Sequence, residues 1–193
     1  GRKLSVANST LAELRQLEYG SWKAPAFQGE PIPTFAQVAA AIPSGKTFVI
    51  ELKTGPEIVP LLAKQIADSQ LDPRQLLIIA FDSGTVAKAK QLLPNIRAHW
   101  LTAYRQDKKT SRWTPTAEEI CETLQACSAD GLGTQGNRAV LDAAFLRSLQ
   151  AGGLREFHVW TVDSPADALY FQQLGAMGIT TNRPAYIRQA LAH

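Results

Sequence analysis

The sequence predicts an α/β protein, a parallel sheet with helices packed outside it. Three observations carry this. Short apolar runs alternate strictly with helical patterns from Lys46 onward. The resulting six strand-helix units recur every roughly 20 to 33 residues. No Gly-rich dinucleotide fingerprint follows any of the strands. The alternation leaves two architectures open, a doubly wound sheet and a partial (β/α)8 barrel. A full barrel needs about 250 residues, and this chain has 193.

Each element has a local reason. Residues 47–52, Thr-Phe-Val-Ile-Glu-Leu, read as the first strand, and Pro56 opens a helix through about Ser69, proline being tolerated in a first turn. Residues 76–81 form a second strand, followed by a cap at Asp82 or Ser83 and a helix to Leu93. Residues 96–101 form a third strand, and a polar stretch runs from Gln106 to Arg112. Thr116-Ala-Glu-Glu119 is a capping box opening a helix to about Cys127. Gly131 to Thr134 is a short strand, and a helix is expected from about Arg138 to Gln150, stopped by Gly152-Gly153. Phe157 to Val162 is a strand, and Ser164-Pro165 caps and starts the next helix. Gly178 to Thr181 and Pro184 to Ala192 supply the last strand and helix. The segment before the first strand differs. It is rich in Gly, Pro and aromatics from Gly20 to Pro33, and Thr34-Phe-Ala-Gln37 then opens a helix with a capping box.

Composition excludes several classes. The 45% apolar content is that of a globular domain. No apolar run approaches the roughly 18 residues of a membrane span. The net charge is +3, and the basic residues are scattered apart from Lys108-Lys109 with Arg105 and Arg112 nearby. A nucleic-acid surface needs a basic stripe with stacking aromatics, so no nucleic-acid partner is expected. Cys121 and Cys127 match no zinc or disulfide spacing. The compartment stays open, with a lean towards the cytoplasm.

Function in parallel α/β folds gathers at the C-terminal ends of strands. Glu51 and Lys53 close the first strand, two residues apart, so both side chains point the same way. A carboxylate and an ammonium side by side suit a hard cation, Mg²⁺ or Ca²⁺, together with a phosphate. The same pair is equally a structural ion pair at a strand end, and spacing alone does not separate the two.

Five motifs occur in order: Gly20-Ser-Trp-Lys23, Phe27-Gln-Gly-Glu-Pro-Ile-Pro-Thr34, Ile50-Glu-Leu-Lys53, Trp160-Thr-Val-Asp163 and Gly178-Ile-Thr-Thr-Asn-Arg-Pro184. Each alone is weak, but their order and spacing resemble the glycerophosphodiester phosphodiesterase family from Leu11 onward. The resemblance implies an incomplete TIM-type barrel with about six of eight strand-helix units. It implies one partial barrel domain over 1–193, with 11–34 as the end of a small insertion. It implies metal-dependent hydrolysis of a small glycerophosphodiester to glycerol 3-phosphate and an alcohol. Glu51 then resembles a metal ligand for Mg²⁺ or Ca²⁺, and Lys53 the catalytic lysine on the phosphate. Trp160 resembles an aromatic lining the glycerol pocket, and Phe81 adds to the same substrate-binding wall.

The family's His-Arg-Gly strand, Glu-x-Asp strand end and His-Asp pair have no counterpart before Leu11. The metal site is therefore expected to be incomplete here. His99, His158 and His193 lie at the wrong places to replace the family's histidines, and a core or surface role is expected for each. Gln135 and Asn137 fit a rim position, although turn and cap chemistry around Gly136 explains them as well. Glu30 sits in the insertion, either near a substrate entrance or as a solvated charge. Two alternatives follow. One is a catalytically incompetent remnant that binds a phosphodiester, self-associates or takes a completing N-terminal chain. The other is a related phospholipase-type phosphodiesterase.

Overall fold

A computed structural model describes residues 4–192. His193 lies outside the described residues. The chain divides after Pro43 into two compact units.

The first unit is held by side-chain-to-backbone bonds rather than by a sheet. Thr10 and Glu13 form a reciprocal capping box on helix α1 (Leu11–Leu14). Thr34 and Gln37 do the same on α2 (Phe35–Ala40). Between them Glu18 Oε1 accepts from the backbone N–H groups of Gly20, Ser21 and Gly29. Those donors hold its carboxyl below the usual range, the Ser21 and Gly20 amides most of all. Gly20 is required there, because a Cβ would run into the Phe27 backbone carbonyl.

The second unit is built on a six-stranded parallel sheet with helices on one side. Its strands are β1 (Phe48–Leu52), β2 (Leu76–Ala80), β3 (Arg97–Thr102), β6 (Gly131–Gln135), β7 (Phe157–Trp160) and β8 (Gly178–Ile179), paired in that order. Helices α3 (Val59–Ser69), α4 (Ser83–Leu92), α5 (Ala117–Ala126), α6 (Ala143–Ala151), α7 (Pro165–Gln173) and α8 (Pro184–Leu191) alternate with them. The caps read from the sequence are in place. Asp82 accepts from Thr85 N, Thr116 and Glu119 form a capping box, and Ser164 accepts from Asp167 N.

Two expectations change. The polar stretch after β3 is a small hairpin, β4 (Arg105–Gln106) with β5 (Trp113–Thr114), closed by Asp107, which accepts from the Lys109 and Thr110 amides. Helix α6 begins at Ala143, not near Arg138. Asp142 is extended and its carboxylate caps the Phe145 amide, so the chain before it is a turn that buries Val140 and Leu141.

Register divides each strand between two faces. Leu132, Phe157 and Val159 face the helices and pack with Ile120, Leu124, Leu149 and Phe171. Leu77, Ile79 and Leu101 cluster on the other face, with Trp160 against them. Strands β2 and β7 stand three places apart, about 14 Å in a flat sheet. Yet the Phe81 and Trp160 rings that close them are 5.4 Å apart between centroids. The sheet is curled, with Glu51, Leu77, Ile79, His99, Gly133, Gln135, His158 and Trp160 on its concave side. This curled half-barrel with outer helices is the incomplete TIM-type barrel that the sequence implies.

Candidate active site at the C-terminal rim

The rim is built from strand ends. Register pairs Glu51 with Ile79 and Gln135 with Trp160, so these side chains share the concave side. Glu51 Oε2 lies 3.6 Å from Lys53 Nζ, an ion pair open to solvent, with the lysine side chain 78% exposed. Such an exposed pair adds little stability, which leaves both groups free to meet a ligand. A depression of about 320 Å³ is lined by Glu51, Leu52, Lys53, Thr54, Phe81 and Asp82. Asp82 contributes little charge to spare. Its Oδ2 accepts from the Thr85 hydroxyl and amide, and these hold its carboxyl below the usual range.

Phe81 is 51% exposed and meets Trp160 edge to face, the planes at 77°. The Trp100 indole N–H donates to the Phe81 carbonyl at 2.8 Å, which fixes where this rim residue stands. Trp160 packs below on Leu77, Ile79 and Leu101. The structure thus brings Glu51, Lys53 and Phe81 into one depression and joins Phe81 to Trp160.

Gln135 ends β6 on the same side, and its Oε1 accepts from Tyr104 N at 3.3 Å. Asn137 does turn chemistry instead, its Oδ1 accepting from Ala139 N. Glu30 lies in the first unit, where its backbone carbonyl accepts from Tyr19 N.

His99 and His158 are not at the rim. They lie deep on the concave side, with Nδ1 atoms 3.0 Å apart and the rings stacked. His99 Nε2 donates to Glu156 Oε1 at 2.8 Å, and Arg97 holds the other Glu156 oxygen at 3.3 Å. Burial pushes both imidazoles down, His158 to about 4, with the neighbouring His99 adding to the effect. The Arg97–Glu156–His99–His158 chain was not visible as a unit in the sequence.

Would these residues hold a divalent cation? Mg²⁺ and Ca²⁺ take six or more oxygens. Glu51 offers an exposed carboxylate paired loosely with the Lys53 ammonium at 3.6 Å, whereas Asp82 is already engaged by Thr85. No group of three or more His, Cys, Asp or Glu converges among the described residues. The donor set therefore fits one protein ligand, with the remaining oxygens coming from water, substrate or other groups.

Comparison with known proteins places this chain in a family. The model of the glycerophosphoryl diester phosphodiesterase family matches residues 1–186. The chain is 28% identical over 190 residues to YhdW of Bacillus subtilis (strain 168), provisionally named a glycerophosphodiester phosphodiesterase. That match covers 94% of this chain and 71% of the relative. It is 27% identical over 195 residues to a glycerophosphodiester phosphodiesterase of the same organism, covering 93% of this chain and 63% of that one. Among solved structures, an Oleispira antarctica phosphodiesterase in complex with the product sn-glycerol-3-phosphate matches with a TM-score of 0.79. Its identity is 22%, over 97% of this chain and 72% of that chain. At that identity the likeness concerns the fold, whereas the family model spans nearly the whole sequence. The chain belongs to the glycerophosphoryl diester phosphodiesterase family.

Proposed function

We propose that this chain takes part in the hydrolysis of glycerophosphodiesters to glycerol 3-phosphate and an alcohol, with Mg²⁺ or Ca²⁺ at the rim. The observation that carries the reading is the depression in which Glu51 and Lys53 stand 3.6 Å apart beside Phe81, in a chain of this family. Glu51 is the metal ligand. A divalent cation, when bound, polarises a phosphoryl oxygen. Lys53 lies within reach of the same group and offsets the charge that develops on it. Phe81 and Trp160 form an apolar wall that excludes water from one side of the substrate. His99 and His158 are buried and bonded to each other, so neither stands where it could exchange a proton with a substrate at the rim.

The test is product release together with metal titration. Glu51→Gln should lower divalent-ion affinity and metal-dependent turnover at least tenfold, because a hard cation prefers a charged oxygen. Asp82→Asn should change metal affinity less than about twofold, since its carboxylate serves Thr85. A loss of equal size in both variants would contradict the assignment of Glu51.

A second reading has its own observation. Among the described residues, the outer strands β1 and β8 each have a neighbouring strand on one side of the sheet. Unpaired edges accept strands from elsewhere. The chain would then act with a completing strand-bearing segment, or a second copy, closing the barrel. The phospholipase-type alternative has no observation in its favour.

A further inference from the structure

We infer that Gln135 is a specificity residue that donates from its side-chain amide to a hydroxyl of the bound diester, on the far side of the phosphoryl group from Glu51 and Lys53. The inference rests on the functional reading above and deepens it.

The orientation of this amide follows from chemistry. A backbone N–H can only donate, and Tyr104 N donates to the Gln135 side chain, so the acceptor must be Oε1. The NH₂ group therefore points the other way. Among the described residues it donates to nothing, while Oε1 is tied down. Tyr104 itself is buried, so the anchor for this bond is rigid. Gln135 is the last residue of β6, half-buried and on the concave side in register with Trp160. A half-buried amide with its acceptor engaged and both donors free is arranged to meet an oxygen that arrives from outside.

Which oxygen it meets follows from topology. Strand β6 stands three places from β1, about 14 Å across a flat sheet, and register sets Glu51 level with Gly131, so Gln135 lies four residues further along its strand, a span that the curl shortens. The phosphoryl group belongs near the Lys53 ammonium. The amide stands well beyond that group across the sheet, where the diester would present the hydroxyl acceptors of its glycerol unit. The Trp160 ring beside it would cover the carbon backbone between the two polar ends. A pocket that hydrogen-bonds a substrate hydroxyl discriminates strongly against ligands that lack it.

The test uses the full chain with two probes, sn-glycerol 3-phosphate and inorganic phosphate, titrated by calorimetry in the presence of Mg²⁺. Gln135→Leu should weaken glycerol 3-phosphate binding roughly two- to tenfold, the value of one neutral hydrogen bond, and leave phosphate binding unchanged. Gln135→Glu keeps an oxygen for Tyr104 N but removes the donor. Its charge lowers affinity for both anions, so the ratio of the two affinities is the readout, and it should fall as in the leucine variant. Unchanged glycerol 3-phosphate affinity in Gln135→Leu, with the parent chain binding normally, would overturn the inference alone. Equal loss of both probes in Gln135→Leu would also overturn it, because the residue would then serve the phosphoryl group or the fold. Failure of the parent chain to bind either probe would overturn the functional reading and this inference together.

Discussion

His158 is 5% exposed, and its hydrogen bonds fix its protonation. Glu156 accepts from His99 Nε2, so the neutral His99 ring leaves Nδ1 as an acceptor. His158 must then donate from Nδ1, which leaves its Nε2 as a buried acceptor without a partner among the described residues. A second proton would place a charge in this buried stack, which burial and the adjacent ring both oppose. Arg97, Asp130 and Glu156 are the charged groups around the pair, and only the two carboxylates favour the imidazolium form of His99. The folded pKa of His158, about 4, lies below the ordinary 6.5. Between these values the unfolded chain binds more protons than the folded one, so stability rises with pH. The contribution is fully present above about pH 6.5 and is lost as pH falls towards 4, a change on the order of 3 kcal/mol. Denaturant unfolding at a series of fixed pH values checks this. His158→Leu should flatten the slope in that window, and an unchanged slope would show that other groups carry the acid sensitivity.

The element that permits this pair is β6. His99 stands on β3 and His158 on β7, with β6 between them. The two imidazoles meet across it because the inner positions of β6 are glycines. A Cβ on Gly133 would lie 2.6 Å from His158 Nε2, and one on Gly131 would lie 2.7 Å from His99 Nε2. Glycine weakens a strand on its own account, and here it opens space for two rings. Gly133→Ala should therefore destabilise the fold by about 1–3 kcal/mol through overpacking. Adding His158→Ala should recover part of that loss, a coupling of about 1 kcal/mol in a double-mutant cycle. Strict additivity would mean that the methyl group finds room elsewhere. None of this was legible in Gly-Leu-Gly-Thr, which reads as a weak strand. The pairing links residues 59 apart and depends on the strand order and the curl. Some of the local chemistry was legible. The capping box at Thr116 and the Ser164-Pro165 helix start are where the sequence puts them. The start of α6 was misplaced because the helical apolar pattern runs back through Val140 and Leu141. Those residues are buried from a turn, and Asp142 takes the cap. The β4–β5 hairpin has two residues per strand, too few for any period.

For the whole molecule, burial on the concave side falls off towards the sheet's edges. Leu77, Ile79, His99 and His158, at the centre, are enclosed, while Val49 on β1 is 48% exposed. At the opposite edge, beside β8, an open groove of about 500 Å³ is lined in part by Met177, Ile179, Ile187 and Leu191. Six strands and the alternation were legible from the sequence. The same-side placement of Glu51 and Lys53 was legible from their spacing of two. The meeting of Phe81 with Trp160 was not, because it needs the curl that only the complete strand order imposes.

The open edges lead to a prediction about association. Strand β1 is five residues long, and its concave side carries Val49 beside Glu51. An edge strand that carries an exposed apolar residue is a template for another strand unless something blunts it. Strand β8 has only two residues, a poor template by length, so β1 is the edge from which pairing should start. Sedimentation of the full chain over a hundredfold range of concentration should show reversible association. Val49→Lys should weaken it several-fold, since a lysine on an edge strand resists burial by an incoming chain. The same variant leaves β1–β2 pairing intact, because the Val49 backbone still faces Leu77 in register. A chain that sediments as a monomer throughout, or a variant that associates as the parent does, would rule out β1 as a surface for self-association.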